Sequence, residues 1–192
     1  MAKISTVAST REDKPRHEAE IVQNGDPILR AEAQEIPVAE ITSPKIQAVI
    51  AHMKKVLDPI RDGIAIAAPQ VGEPYRIFVV NTGLLQQADK TYKGDGSDMI
   101  FINPVLTKKS RDKREVEEGC LSVRWLYGKV RRSTRVTLVG YNEKGEKVER
   151  GASGLLAQIF QHECDHLDGI LFIDRARELW EMSAEEIADM QK

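Results

Sequence analysis

Gln161-His162-Glu163-Cys164-Asp165-His166-Leu167-Asp168-Gly169 places two histidines four residues apart. On a helix, residues i and i+4 share one face, one turn apart. Two imidazoles so placed reach one metal ion, and the Glu next to the first is positioned as a general base. At about 100° per residue, Glu163 and Asp165 lie roughly 80° to either side of the mean ligand direction, and Cys164 points away from it. Cys164 is therefore expected to pack the helix on a core as a small hydrophobe. Metal-activated water beside a carboxylate is a hydrolytic site.

A catalytic metal takes three protein ligands and an open position. From the residues alone the third ligand stays open. Downstream are Asp168, Asp174, Glu178 and Glu181, with no further His. Upstream is Cys120, in Glu117-Glu118-Gly119-Cys120-Leu121-Ser122-Val123, where a thiolate at a strand edge and a buried core Cys are equal readings.

Glu-Gly-Cys-Leu-Ser, followed 42 residues after its Cys by His-Glu-x-Asp-His, resembles the peptide deformylase family. A third motif agrees: Gly63-Ile64-Ala65-Ile66-Ala67-Ala68-Pro69-Gln70 is similar to that family's Gly-rich segment ending in Ala-Ala-x-Gln. The likeness runs from about Gly25 to Asp174 and includes Asn24 to Arg30 and Phe101-Ile102-Asn103-Pro104. It implies Cys120, His162 and His166 as metal ligands and Glu163 as the proton-transferring base. It assigns the oxyanion donors to the Gln70 side chain and the Leu121 backbone N–H.

The resemblance further implies removal of the formyl group from N-formyl-methionyl peptides, the starts of nascent chains at the ribosome, with release of formate. A methionine pocket is expected from Ile64, Leu155, Ile159, Gly119 and the stem of Glu118, with the peptide backbone along Gly63 to Ala65 as an added strand. Glu118 and Arg132 match positions where the family pairs a carboxylate with a guanidinium. An exposed Arg132 is the competing reading, and Asp165 either orients a ligand or holds backbone. The implied cofactor is one divalent ion, Fe²⁺ in the cell, with Zn²⁺, Ni²⁺ or Co²⁺ after purification. One departure stands out: Ala65 replaces the family's usual Gly. If that position needs a positive φ or close backbone approach, a Cβ is costly there. The consequence falls on the substrate cleft and not on the metal.

Rival readings are a deformylase-like paralogue or zinc peptidase acting on another acyl or peptide group, and a non-catalytic metal-binding or ribosome-associated adaptor. A peptidase needs a downstream third ligand. An adaptor needs neither Glu163 nor Gln70.

The remaining sequence fits one domain. The chain has 192 residues, 41% hydrophobic and 30% charged, enough for a sizeable core. A net charge of −2 gives no footprint for direct nucleic-acid binding. Lys108, Lys109, Arg111, Lys113 and Arg114 form a basic run expected to be a solvated loop. No stretch suits a membrane span. The charged N-terminus and two cysteines suggest a reducing, cytoplasmic setting.

Residues 1–20 are expected to be a flexible tail and 21–192 a single catalytic domain. Ser43 caps, and Pro44 starts, a helix whose Ile46, Val49, Ile50, Met53, Val56 and Leu57 recur at helical spacing. Strands are predicted over Tyr75 to Val80, Met99 to Leu106 and Thr134 to Tyr141, the last turning at Asn142–Gly145 into a hairpin partner, Glu146 to Arg150. Gly83 to Asp98 reads as a long polar loop. Ser153 is expected to cap the His-bearing helix and Gly169 to end it. Ser183 and Glu186 form a capping box for a short terminal helix. Strands that do not alternate with helices indicate an α+β fold: one compact domain with antiparallel strands around a metal-binding helix.

Overall fold

Ile77, Phe78, Val79 and Val80 are all fully buried, so this strand has no solvated face. The reason is visible on both sides in the computed structural model, which describes residues 21–183 and 185–187. Ile77 and Val79 pack with Ile46, Ile50 and Met53 of helix α1 (Pro44–Leu57). Phe78 and Val80 pack with Leu156, Phe160 and Leu167 of helix α3 (Gly154–Leu167). One sheet is thus sandwiched between two helices. Phe78, Phe101 and Phe160 interlock on the α3 side, with ring centroids 5.0 to 5.9 Å apart.

That sheet has five strands in the order β1 (Ala65–Ala67), β2 (Ile77–Val80), β3 (Met99–Lys109), β6 (Arg135–Tyr141) and β7 (Lys147–Ser153). A second sheet has β4 (Lys113–Cys120), β5 (Val123–Ser133) and β8 (Leu179–Glu181) in that order. Every strand pair is antiparallel. The architecture is the expected α+β domain, and β1 is an edge strand.

The caps behave largely as expected. Ser43 Oγ accepts from the Ile46 N–H, and all six apolar positions of α1 are buried. Asp168 ends α3, and Gly169 follows at φ 71°, where an added Cβ would sit 2.6 Å from the Arg30 carbonyl oxygen. Ser153 occupies the N-cap of α3, but its side chain makes no capping bond. At the C-terminal capping box the Ser183 N–H and hydroxyl both donate to Glu186.

Two expectations are corrected. The segment Gly83 to Asp98 is not all loop: helix α2 (Thr82–Ala88) begins it, capped by Asn81, whose Oδ1 accepts from the Leu84 N–H at 3.0 Å, and pinned by fully buried Leu85. The basic run is not a loop either: Lys108 and Lys109 end β3 and Lys113 and Arg114 begin β4, all exposed. The expected tail, 1–20, lies outside the described residues, as do 184 and 188–192.

Candidate metal centre and active site

Helix α3 packs against strands of both sheets, β1, β3, β6 and β7 of one and β5 of the other, and carries His162, Glu163 and His166. Cys120 is the last residue of β4, where pairing skips from Gly119↔Tyr127 to Cys120↔Val123. This irregularity turns the thiol toward the helix. One donor atom each from Cys120, His162 and His166 lies within 4.8 Å of the others, and Cys120 Sγ is 3.1 Å from His166 Nε2. Ligand atoms around one tetrahedral ion stand roughly 3.3–3.7 Å apart, so the residues fit a shared divalent cation. Three of the four downstream alternatives are engaged elsewhere, Asp168 with Arg76, Asp174 with Arg30 and Glu178 with Lys129, and the fourth, Glu181, is exposed on β8.

The electrostatics favour a thiolate. Burial alone would push the Cys120 thiol up, but His166 and His162 beside it bring it down to about 5. The Ser122 N–H and Gln70 Nε2 also point at Sγ, at 3.4 and 3.5 Å. Cys164 is the opposite case. It is 6% exposed, packed in the α3 core, and burial pushes its thiol up to about 12. Burial disfavours a charged His162, yet Cys120 and Glu118 raise it well above its usual value. A bound cation answers the same concentration of negative charge.

Behind His162 runs a buried ionic chain. Glu118 Oε2 lies 3.0 Å from His162 Nδ1, which leaves Nε2 for a metal. Arg132 donates to both Glu118 oxygens, at 2.7 and 2.8 Å, and to Asp165 Oδ2 at 2.5 Å. Asp165 reaches on to Arg175 at 3.0 Å. Burial works against ionised Glu118, but its bonds from Arg132 and His162 hold the carboxyl down at about 2. Arg132 is 5% exposed, so the exposed reading of this residue is wrong. Asp165 anchors Arg132.

Glu163 is 4% exposed and its Oε2 is buried without a hydrogen-bond partner. Burial raises its pKa, Cys120 and Glu118 add to the rise, and the two histidines oppose it. Gln70 sits in a short 3-10 turn, Ala68–Val71, directly after β1. Its Oε1 accepts from the Ala67 N–H at 2.8 Å, so the amide NH₂ faces Cys120 and the Ser122 hydroxyl.

A cavity of about 200 Å³ opens on this centre. Gly63, Ile64 and Ala65 form one wall, Glu118 to Leu121 another, and Leu155, Ile159, His162 and Glu163 the floor. Packing is tight at Gly63: a Cβ there would stand 2.9 Å from an Ile60 and 3.0 Å from a Leu121 side-chain carbon, which would have to shift. Ala65 is in extended strand, not among the residues with positive φ, so its replacement of Gly strains nothing.

Sequence reasoning missed several neighbours. Ser122 is fully buried against Gln70, and its place in Gly-Cys-Leu-Ser was the available signal. Phe172 stacks on His162, with centroids 6.4 Å apart. Asp62, Arg124, Trp125, Leu126 and Tyr127 complete the cavity wall and left no signal in the motifs.

Comparisons with known proteins agree with this centre. The family model for polypeptide deformylase matches residues 18–181. The chain is 44% identical over 152 residues to a peptide deformylase of Halothermothrix orenii, covering 79% of this chain and 88% of that protein. It is 40% identical over 167 residues to the chloroplastic/mitochondrial peptide deformylase 1A of Arabidopsis thaliana, of which it spans only 60%. Among solved structures, the Thermotoga maritima peptide deformylase superposes with a TM-score of 0.70 at 33% identity, covering 82% of this chain and 97% of that one. A class I type b enzyme from Acinetobacter baumannii gives 0.72 at 31% identity, covering 81% and 97%. Motifs separated widely in sequence meet at one centre, and relatives align along most of the chain: it belongs to the polypeptide deformylase family.

Proposed function

We propose that this chain hydrolyses the formamide of N-formyl-methionyl peptides, the starts of nascent chains at the ribosome, releasing formate and a free amine. The observation that carries this reading is the convergence of Cys120, His162 and His166 on one point beside a buried, unpartnered Glu163 oxygen.

Cys120, His162 and His166 would hold one divalent ion, which supplies Lewis acidity and an activated water when bound. Glu163 takes the proton of the attacking water and returns it to the departing amine nitrogen. Its raised pKa suits a group that must hold and then release that proton. Gln70, its amide fixed by Ala67, and the Leu121 backbone N–H face the developing oxyanion. One such donor is typically worth about 3–4 kcal/mol of barrier. Glu118, Arg132 and Asp165 fix the His162 ring, so that its Nε2 stays aimed at the ion.

Substrate methionine enters between Ile64, Leu155 and Ile159, over the stem of Glu118 and Gly119. Its backbone pairs with Gly63 to Ala65, the segment leading into the open edge of β1, which reads main chain and tolerates varied sequence. Thiolate and imidazole donors suit Fe²⁺, Zn²⁺, Ni²⁺ or Co²⁺. We assign Fe²⁺ in the cell, checked by elemental analysis after anaerobic purification. Catalysis is assigned to the unit 21–192, in the cytoplasm. No helix among the described residues is long and apolar enough to cross a membrane.

The test is formate release from a formyl-Met-Ala-Ser peptide, with its peptide bonds followed in parallel. Formate with intact peptide bonds supports the reading. Peptide-bond cleavage without formate would return the zinc-peptidase alternative.

A further inference from the structure

Two oppositely charged side chains meet at the mouth of the cavity. Asp62, in the turn immediately before Gly63, and Arg124, on β5, both line it. Arg124 Nη1 lies 2.5 Å from Asp62 Oδ2. The residues come from opposite walls, so the pair closes a bar across the groove through which the downstream part of a substrate must pass.

The two halves of the bar are held unequally. The Arg124 side chain is 12% exposed and its guanidinium lies 5.2 Å from the Trp125 ring centroid. Trp125 itself is locked: its φ is 66°, a left-handed conformation that is costly for a bulky residue and persists only where its surroundings enforce it. The enforcement is visible. Its carbonyl accepts from the Met182 N–H at 2.8 Å, and β8 pairs beside it. Next to it, Tyr127 is wedged between Gly119 and the Trp180 ring. Arg124 therefore stands on a rigid platform. Asp62 is 30% exposed, in a turn, and is the half that yields.

We propose that Arg124 is a specificity-determining residue for the side chains that follow formyl-methionine, and that Asp62 is its internal competitor. This rests on the deformylase reading. Asp62 occupies the guanidinium as a substrate carboxylate would. A substrate whose second or third residue is Asp or Glu displaces Asp62 and takes over a charge-assisted bond on a cation already in place. A Lys or Arg at those positions gains only a mobile, already neutralised carboxylate and is disfavoured by Arg124.

The experiment measures formate release by the metal-loaded enzyme from formyl-Met-Ala-Ser-amide and analogues with Glu or Lys at the second or third residue. Amidated ends remove the terminal carboxylate that would mimic an acidic side chain. Asp62→Asn is expected to raise kcat/KM for the Glu peptides about tenfold relative to the Ser peptide of the same variant, through KM, an effect that shrinks with added salt. Arg124→Gln should erase the Glu-over-Lys ranking, Arg124→Lys should keep a weakened one, and the double variant should behave as Arg124→Gln. A ranking that survives in Arg124→Gln, or an Asp62→Asn effect equal for the Ser, Glu and Lys peptides alike, overturns the proposal. No formate from any peptide would overturn the deformylase reading and this inference with it. Formate without charge ranking overturns this inference alone.

Discussion

Gln161 and Ser133 exchange two hydrogen bonds: the Ser133 N–H donates to Gln161 Oε1 and Gln161 Nε2 donates to the Ser133 carbonyl, each at 3.0 Å. A side-chain amide on α3 thus pairs with the end of β5 as a neighbouring strand would. Both residues are buried, so the helix that carries the histidines is pinned to the sheet that presents Cys120.

Gln161→Ala should lower folding stability by about 2–6 kcal/mol, since it strands two buried backbone groups at roughly 1–3 kcal/mol each. Denaturant unfolding of the metal-loaded protein checks this. A loss below 1 kcal/mol would mean that the two segments are held by packing alone.

Glu163→Gln should keep fold and metal while turnover falls by about 10²–10⁴-fold. Elemental analysis and formate release are read on the same sample. Comparable turnover at full metal content would remove Glu163 from the mechanism.

The two cysteines should part company. Cys120→Ala is expected to lose most bound metal, whereas Cys164→Ala keeps it at a packing cost of about 1 kcal/mol. In the native fold Cys164, its thiol pushed up to about 12, should resist alkylation at pH 8 until the protein unfolds. The reverse pattern of metal loss would reassign the third ligand.

Acid stability should report the Glu118–Arg132 pair. Glu118 titrates at about 2 in the fold against an ordinary 4.5, so its contribution is complete above about 4.5 and is lost as pH falls toward 2. Arg132→Leu leaves buried Glu118 with only His162 and Asp165 with only the half-exposed Arg175, costing about 3–5 kcal/mol near neutrality. The variant's deficit should narrow on acidification from pH 6 to 3. A deficit constant across that range would show that packing, not charge, is what Arg132 provides.

Ala65→Gly should shift KM for formyl-Met peptides severalfold at unchanged metal content. The Ala65 methyl borders the groove, and the extended backbone there does not demand glycine. A change confined to kcat would mean the contact forms only in the transition state.

The His162–His166 pair was legible because helical spacing puts both on one face, whereas Cys120 stood even between ligand and core until the resemblance singled it out. The helix-angle argument alone separated Cys164 from the metal face, and the core position of Cys164 bears it out. Arg132 was ambiguous because Lys129-Val130-Arg131-Arg132 reads as a surface run. Only strand alternation against Glu118 and Asp165 turns one of its two arginines inward, and such partners lie 14 and 33 residues away. Helix α2 was hidden by its glycine and polar residues, since one buried leucine and an Asn cap leave little periodicity. The Asp62–Arg124 bar joins a turn and a strand 62 residues apart, and no local pattern announces such a meeting.

The open edge of β1 carries a hazard along with its use. An unpaired strand is a template for any extended chain, including another copy of the same protein. Here the strand is three residues long, begun by small Ala65 and followed by Pro69 two residues beyond its end. A partner can therefore form only a few ladder bonds before the edge runs out, too few to hold two folded copies together without other contacts. Brevity makes the edge a place for visitors that must leave: a chain start can dock, react and depart, and self-association finds no purchase.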